Sequence, residues 1–241
     1  MVEFIYWPRK ILKPRECRVN LVSFSRNGGP SVGGISPTTQ TDLGWWEIKY
    51  NNLLLQQRKS AQVRTWDSID AISNGKAGLH VVPIWAFETA PYVDTFTLPS
   101  LVPFSDTSVF SDGAEYYQPS ISVYASEDAA LGATVLELNV LNADVNNLHG
   151  AKFSYNHALY RIRKIISMND DGSLQTVLIA PTLRTAISAG AQFNFDEPDC
   201  LCHLQSDNSM ERGLQTDLVE QLSVTFVEAT DYWNALATGL L

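Results

Sequence analysis

Near the start of the chain, apolar and polar positions alternate with the two-residue period of a strand. Cys17, Val19 and Leu21 fall on one side, Arg18, Asn20 and Val22 on the other, and the run ends at Phe24. That pattern predicts a half-buried strand. From Asn27 to Thr41 the periodicity stops, and Gly28-Gly29-Pro30 and Gly33-Gly34 mark a long polar loop. Strand composition returns from Trp45 to Leu55. Val63, Trp66, Ile69 and Ile72 then recur every third residue in a charged segment starting near Arg58. This predicts an amphipathic helix over about 58–73, stopped by Asn74-Gly75, a pair that tolerates positive φ. Gly78 to Phe87 again has strand composition. Pro83, with no N–H to give a ladder, predicts an edge position or a bulge there.

From Ala90 to Pro119 the chain has no period and carries Pro91, Pro99, Pro103 and Pro119, which predicts a domain junction. Within it Phe104-Ser105-Asp106 echoes Phe110-Ser111-Asp112-Gly113, with Ser and Asp placed to cap tight turns. Strands resume at Ile121–Tyr124 and Thr134–Val140. Leu159–Ile166 and Leu174–Ile179, joined by Asn169-Asp170-Asp171-Gly172, form the clearest predicted hairpin. Pro181 to Gly190 reads as a short helical turn. Short strands follow at Gln192–Phe195 and Leu201–Gln205, a last strand at Leu218–Val227, and one helical turn in Asp231–Leu241. Many short strands around one substantial helix predict a mainly β fold with a minor α+β component. The expected form is two β-sandwich or barrel-like domains, the first carrying the helix.

Composition narrows the function. The 241 residues are 45 % hydrophobic and 18 % charged, a globular balance with few charges, and that suits surfaces covered by partners. Net charge is −9, so unspecific attraction to nucleic-acid phosphate or an anionic membrane is not expected. The sum conceals a gradient. Residues 1–76 hold 11 Lys or Arg against 6 Asp or Glu, residues 77–193 hold 5 against 11, and residues 194–241 hold one, Arg212, against 9. Such asymmetry suits copies or neighbours that stack face to face, although folding can also mix the segments. Three cysteines, no Asn-x-Ser/Thr sequon and an apolar N-terminal run of four residues before Pro8 predict a protein made in a reducing compartment without a signal peptide. No stretch approaches a membrane span, so the expectation is a soluble protein.

Candidate chemistry is sparse. Cys200-Leu201-Cys202-His203 gathers two thiols and an imidazole, but Cys-x-Cys is not the usual zinc knuckle and no second cluster accompanies it. On a strand, Cys200 and Cys202 share one face and His203 takes the other, so two buried cysteines are expected. Asp106 and Asp112 lack the rest of a calcium loop, and turn capping accounts for them. The acid pairs Glu211/Glu220 and Asp196/Glu197 suit a glycosidase only if they face each other across a cleft. No phosphate loop, dinucleotide fingerprint or zincin helix occurs. Arg161, Arg163, Lys164 and Arg184, with Tyr155 and Tyr160, make a small basic group. Arg161 and Arg163 share a strand face by period two, and pairing with acidic neighbours explains the group better than nucleic acid does. Trp45, Trp46, Trp66 and Trp85 read as core, with subunit anchoring as the other use of aromatics. No catalytic residue, cofactor site or metal site is expected.

The order of these features resembles the small minor tail proteins of long-tailed bacteriophages. The resemblance rests on Tyr6-Trp7-Pro8, Thr39-Gln40-Thr41, the Trp46 strand, the Trp66 helix and Asn74-Gly75-Lys76-Ala77. In the second half it rests on Gly150 to Ser154, Leu159 to Ile162, Asp171-Gly172, Pro181 to Arg184, Phe195 to Pro198 and Thr225 to Ala229. It implies a virion component of the tail tip, similar to distal tail or hub proteins, which form rings joining the tail tube to the receptor-binding apparatus. It further implies a ring-forming β domain at 1–95 plus 210–241 and a second, inserted β domain at 96–209. The implied partners are further copies of the chain, as a trimer or hexamer, and the tail-tube and hub proteins, with assembly in the host cytoplasm. No active site is implied. The rival readings are a carbohydrate- or receptor-binding β module, a tail-borne cell-wall glycosidase and a head–tail connector.

Overall fold

The computed structural model describes residues 3–27, 29, 33–34, 36, 38–56, 58–93, 100–102, 116–213 and 219–240. In chain order its strands are β1 (Phe4–Tyr6), β2 (Glu16–Asn27), β3 (Thr38–Gln56), β4 (Leu79–Pro83), β5 (Ser100–Val102), β6 (Tyr116–Gln118) and β7 (Ser122–Ala125). There follow β8 (Val135–Asn142), β9 (Lys152–Tyr155), β10 (Ala158–Met168), β11 (Leu174–Ala180), β12 (Gln192–Phe193), β13 (Asp199–Leu204) and β14 (Val219–Glu228). Two α-helices, α1 (Ser60–Ser73) and α2 (Thr230–Thr238), complete a mainly β molecule. The Phe-Ser-Asp echo, with Asp106 and Asp112, lies outside the described residues. The chain divides into two compact units. One is Met1–Trp85 with His157–Leu159 and Asp199–Leu241, the other Ala86–Asn156 with Tyr160–Pro198.

The first unit is built on a six-stranded sheet in the order β1-β4-β13-β14-β3-β2. The β1–β4 pairing is parallel and the other pairings are antiparallel. Its core is aromatic. Trp7 meets Tyr50, Trp66 and Phe226 edge to face at centroid distances of 5.4, 6.1 and 5.4 Å. Each such ring removes about 150–250 Å² from water, roughly 4–6 kcal/mol of transfer free energy at ~25 cal/mol per Å². Their polar atoms are paired: Trp7 Nε1–H donates to the Leu12 carbonyl at 2.9 Å, and the Tyr50 hydroxyl donates to the Pro83 carbonyl.

One expectation changes here, and a second is made specific. Of the apolar helix positions, Trp66 and Ile69 are buried but Ile72 is 53 % exposed. A step of three residues rotates about 300° on a helix of 3.6 residues per turn, so three steps carry Ile72 to the side opposite Val63. β4 as a whole lies between β1 and β13, but the β1 pairing ends at Val81, so Pro83 itself is paired on one side only, as expected of a residue without an N–H. It is the last residue of its strand, paired with Asp199, where the ladder stops and the missing N–H is not needed.

The helix stop is as the sequence predicts. Asn74 has φ 47° and Gly75 φ 65°. A Cβ at Gly75 would sit 2.6 Å from Asp207 Oδ1, the oxygen that accepts the Lys76 N–H. Gly75→Ala is therefore expected to cost about 1–2 kcal/mol from the left-handed backbone alone and more from the clash. Gly190→Ala, at φ 79° with nothing within 4 Å of the added methyl, should show the backbone cost alone. Urea unfolding of the two variants measures the difference.

In the second unit the sheet order is β12-β7-β8-β11-β10-β9. Its ends meet: Ser154 and Asn194 exchange both backbone hydrogen bonds, each 2.9 Å, so the sheet is nearly closed into a barrel. Alternation fills the interior with Leu136, Leu138 and Val140 from β8 and Val177 and Ile179 from β11. Phe153 stacks on Phe195 at 5.0 Å and meets Phe193 at 5.1 Å. The predicted hairpin is β10–β11, its turn fixed by Asp171 Oδ1, which accepts from Ser173 N at 3.0 Å and Ser173 Oγ at 2.7 Å.

The turn between β9 and β10 is unannounced by glycine, because Asn156 and His157 both take positive φ, 49° and 66°. The short helical turn expected over Pro181–Gly190 does not form. Leu183 exchanges hydrogen bonds with Gly132 and Ala133, and Ile187 bridges to Ala129, so the backbone groups a helix would use internally bond across to another segment. At the C-terminus, α2 is longer than the single turn expected. It buries Trp233 and stops at Gly239, φ 69°.

Candidate functional site

The Cys-x-Cys segment lies on β13, with Cys202 opposite His80 and Cys200 opposite Val82. Both thiols are fully buried and unbridged, and burial pushes both upward, which keeps them as unreactive thiols. His203 turns away from them: Nδ1 lies 3.0 Å from the Gly78 carbonyl, and Nε2 lies 3.0 Å from Asp231 Oδ1. The segment thus ties α2 and the end of the α1 turn to the sheet. No group of three or more metal-ligating side chains comes together among the described residues.

His157 is the functional-looking residue that spacing did not reveal. Its Nδ1 lies 2.8 Å from Asp199 Oδ2, a partner 42 positions away, and the rings of Phe4 and Tyr6 stand edge-on at 5.9 and 5.8 Å. An imidazole oriented by a carboxylate is half of a general-base pair. Within the first unit it ties His157 to β13 and sets its ring against β1. No periodic pattern links residues that meet only through the sheet.

The members of the acid pairs have separate partners. Asp196 is 2 % exposed, and its Oδ2 accepts the backbone N–H groups of Ser120 and Ile121 at 2.9 and 3.3 Å. Glu197 donates its backbone N–H to Asn194 Oδ1. Arg212 reaches Asp67 at 3.5 Å and Glu220 at 3.9 Å. A surface recess of about 440 Å³ is lined by Asp67, Asp70, Asp207 and Glu211 beside Arg212, held by Trp66 Nε1 donating to the Met210 carbonyl at 2.9 Å.

The basic group is rearranged by a bulge. Arg161 pairs with Ala180 and Lys164 with Leu178, with a register shift between Ile162 and Lys164. Ala180 and Leu178 are two apart on one strand, so Lys164 shares the face of Arg161, and Arg163 is the extra residue of the bulge. The Arg184 backbone N–H donates to the Tyr160 hydroxyl at 2.9 Å.

The most distinctive surface element is the β2–β3 hairpin. Its ladder runs from Glu16–Asn51 to Asn27–Thr38, further into the Gly-rich segment than composition predicts. β14 pairs with β3 only from Glu47 to Gln56. Among the described residues, the outer part, Phe24–Asn27 with Thr38–Thr41, is therefore a two-stranded arm, and no described strand pairs with the outer edge of β2. At the base of the arm Phe24, half exposed, packs on Trp45 at 4.5 Å. Trp46 and Trp66 are buried, while Trp45 and Trp85 are half-buried. Trp85 is covered by Tyr50 at 5.2 Å and by the Arg9 guanidinium 5.3 Å above its ring.

No family model matches the chain and no curated protein matches its sequence. No helix among the described residues is long and apolar enough to cross a membrane.

Proposed function

We propose that the chain is a structural, non-enzymatic component of a bacteriophage tail tip, of the distal tail or hub type, joining the tail tube to the receptor-binding apparatus. In this reading the first unit is the ring-forming β domain with its helix, the second is an attached barrel domain, and the ring holds three or six copies in the virion. The observation that carries it is the β2–β3 arm. A two-stranded ribbon is marginal in water by itself, and a long open strand edge invites pairing with another chain. Arm and edge together fit a head-to-tail contact in which one copy's arm lies on the next, the geometry that closes a ring. Supporting it, Trp46, Trp66 and Trp85 are occupied in packing within the first unit rather than forming an open platform for sugar rings.

Light scattering of the native protein over a range of concentrations, with negative-stain images, tests the proposal. A closed trimer or hexamer is the expected result, and shortening the arm by deleting residues 24–41 should return it to monomer. A strict monomer at every concentration, with no assembly on purified tail tubes, overturns it.

A further inference from the structure

The second unit is acidic, with thirteen Asp or Glu against five Lys or Arg, yet its cations are not scattered through it. Lys152 is on β9, Arg161, Arg163 and Lys164 are on β10, and the Arg184 backbone bonds the hydroxyl of Tyr160 on β10. Register puts three of them on one outer face. Ile162 donates its N–H to the Ala151 carbonyl at 2.9 Å, and the buried rings of Phe153 and Tyr160 lie 5.5 Å apart. Since β9 and β10 are neighbours in the sheet, the count between those two pairs sets Lys152 opposite Arg161, on the face away from the rings. On β11, Arg161 meets Ala180 and Lys164 meets Leu178. Glu137, the acid of β8, stands one row further along, opposite Thr176.

Like charges directly opposite each other on a sheet are destabilising. Pairing with acidic neighbours, the use the sequence suggests for this group, is not what the strands beside Arg161 and Lys164 supply. An anion that touches both Lys152 and Arg161 relieves their repulsion. A carboxylate spends its two oxygens on one guanidinium fork, whereas a phosphate group keeps oxygens for a second cation. Lys164 offers a second position about 7 Å along, the two-residue repeat of a strand, which asks for a ligand with phosphates in series. Phe153 and Tyr160 are turned inward, so these strands give that face no ring of the kind on which the bases of single-stranded nucleic acid stack. We propose that the outer face of β9 and β10 binds a linear phosphodiester polymer without bases, of the poly(glycerol phosphate) kind. Arg161 and Lys152 hold one phosphate and Lys164 the next.

Isothermal titration of the full chain with poly(glycerol phosphate), against inorganic phosphate, oligothymidylate and polyglutamate, tests this. Saturable binding of poly(glycerol phosphate) is expected, at least tenfold tighter per charged group than for the other three. With three cations engaged, raising salt from about 50 to about 200 mM should weaken it roughly twentyfold. Arg161→Gln and Lys164→Gln should each weaken it fivefold or more, while Lys10→Gln, exposed in the first unit, leaves it unchanged. The urea midpoint of Arg161→Gln separates binding from a structural role, because removing one of two opposed charges keeps or raises the midpoint as affinity falls. If that variant does not fold, Lys164→Gln, at an exposed position, decides. Absence of saturable binding at about 50 mM salt, equal affinity for oligothymidylate or polyglutamate, or an equal loss in Lys10→Gln overturns the proposal. None of these outcomes bears on ring formation.

Discussion

Trp46→Ala is expected to destabilise the first unit by about 4–6 kcal/mol, close to the whole stability of an ordinary domain. The indole is fully buried, and its Nε1–H donates to the Leu159 carbonyl at 2.7 Å. The same residue's backbone N–H donates to Glu228 Oε2 at 3.0 Å, and Glu228 is only 3 % exposed. Truncation removes a large apolar volume, worth about 3–5 kcal/mol for a tryptophan, and leaves the buried Leu159 oxygen without its donor, a further ~1 kcal/mol or more. Trp45→Ala supplies the contrast. That ring is half-buried on Phe24, so about 1–2 kcal/mol is expected. Urea unfolding followed by far-ultraviolet circular dichroism measures both. Equal losses would show that Trp46 is not the anchor its burial indicates.

The contrast between these neighbours was legible only in part. Alternation places Trp45 and Trp46 on opposite faces of one strand, but not which face is inside. Local signals fared best: Asn74-Gly75 stops α1, and Asp171-Gly172 turns β10 into β11, because positive φ selects those residues directly. Non-local features were hidden. That Pro83 pairs with β13 on one side while β1 stops at Val81 depends on strands distant in sequence, and β13 comes more than a hundred residues later. The bulge that brings Lys164 onto the face of Arg161 likewise belongs to the pairing with β11, not to the strand's own residues. The Asn156-His157 turn escaped notice for a different reason, since histidine at φ 66° is uncommon and needs the surrounding contacts to hold it.

Candidate chemistry followed the same division. The buried pair Cys200 and Cys202, with His203 on the other face, follows from period two. The partners of the polar groups do not. His157 with Asp199, His203 with Asp231 and Asp196 with the Ser120–Ile121 backbone are separated by 42, 28 and about 75 positions. Asp196 was singled out as half of an acid pair. Its use as an acceptor for two backbone N–H groups becomes visible only when the loop before β7 is seen beside it.

Stability is expected to fall by about 3 kcal/mol between neutral pH and pH 4 through His80 alone. This side chain is fully buried beneath α1. Ser73 Oγ gives its hydrogen to the Ile69 carbonyl at 2.6 Å, so at the 3.0 Å contact with His80 it accepts, and the imidazole carries its proton on Nε2. Nδ1 is left buried without a partner among the described residues. Burial, with a smaller push from the nearby His203, lowers the group from 6.5 to about 4. The unfolded chain therefore takes up a proton near pH 6.5 that the folded chain refuses until about pH 4. The stabilisation is complete above pH 6.5 and lost as pH falls through that window, at up to ~1.4 kcal/mol per pH unit. Carboxylates also titrate there, so the variant His80→Gln isolates the effect: its amide can still donate to Ser73 but cannot titrate. The stability of the wild type minus that of the variant, from urea midpoints at pH 7, 5.5 and 4, should fall by about 3 kcal/mol across the series. Parallel curves would mean that the imidazole protonates in place, and that the space around Nδ1 is wetter and less apolar than the packing of Phe226 at 5.7 Å indicates.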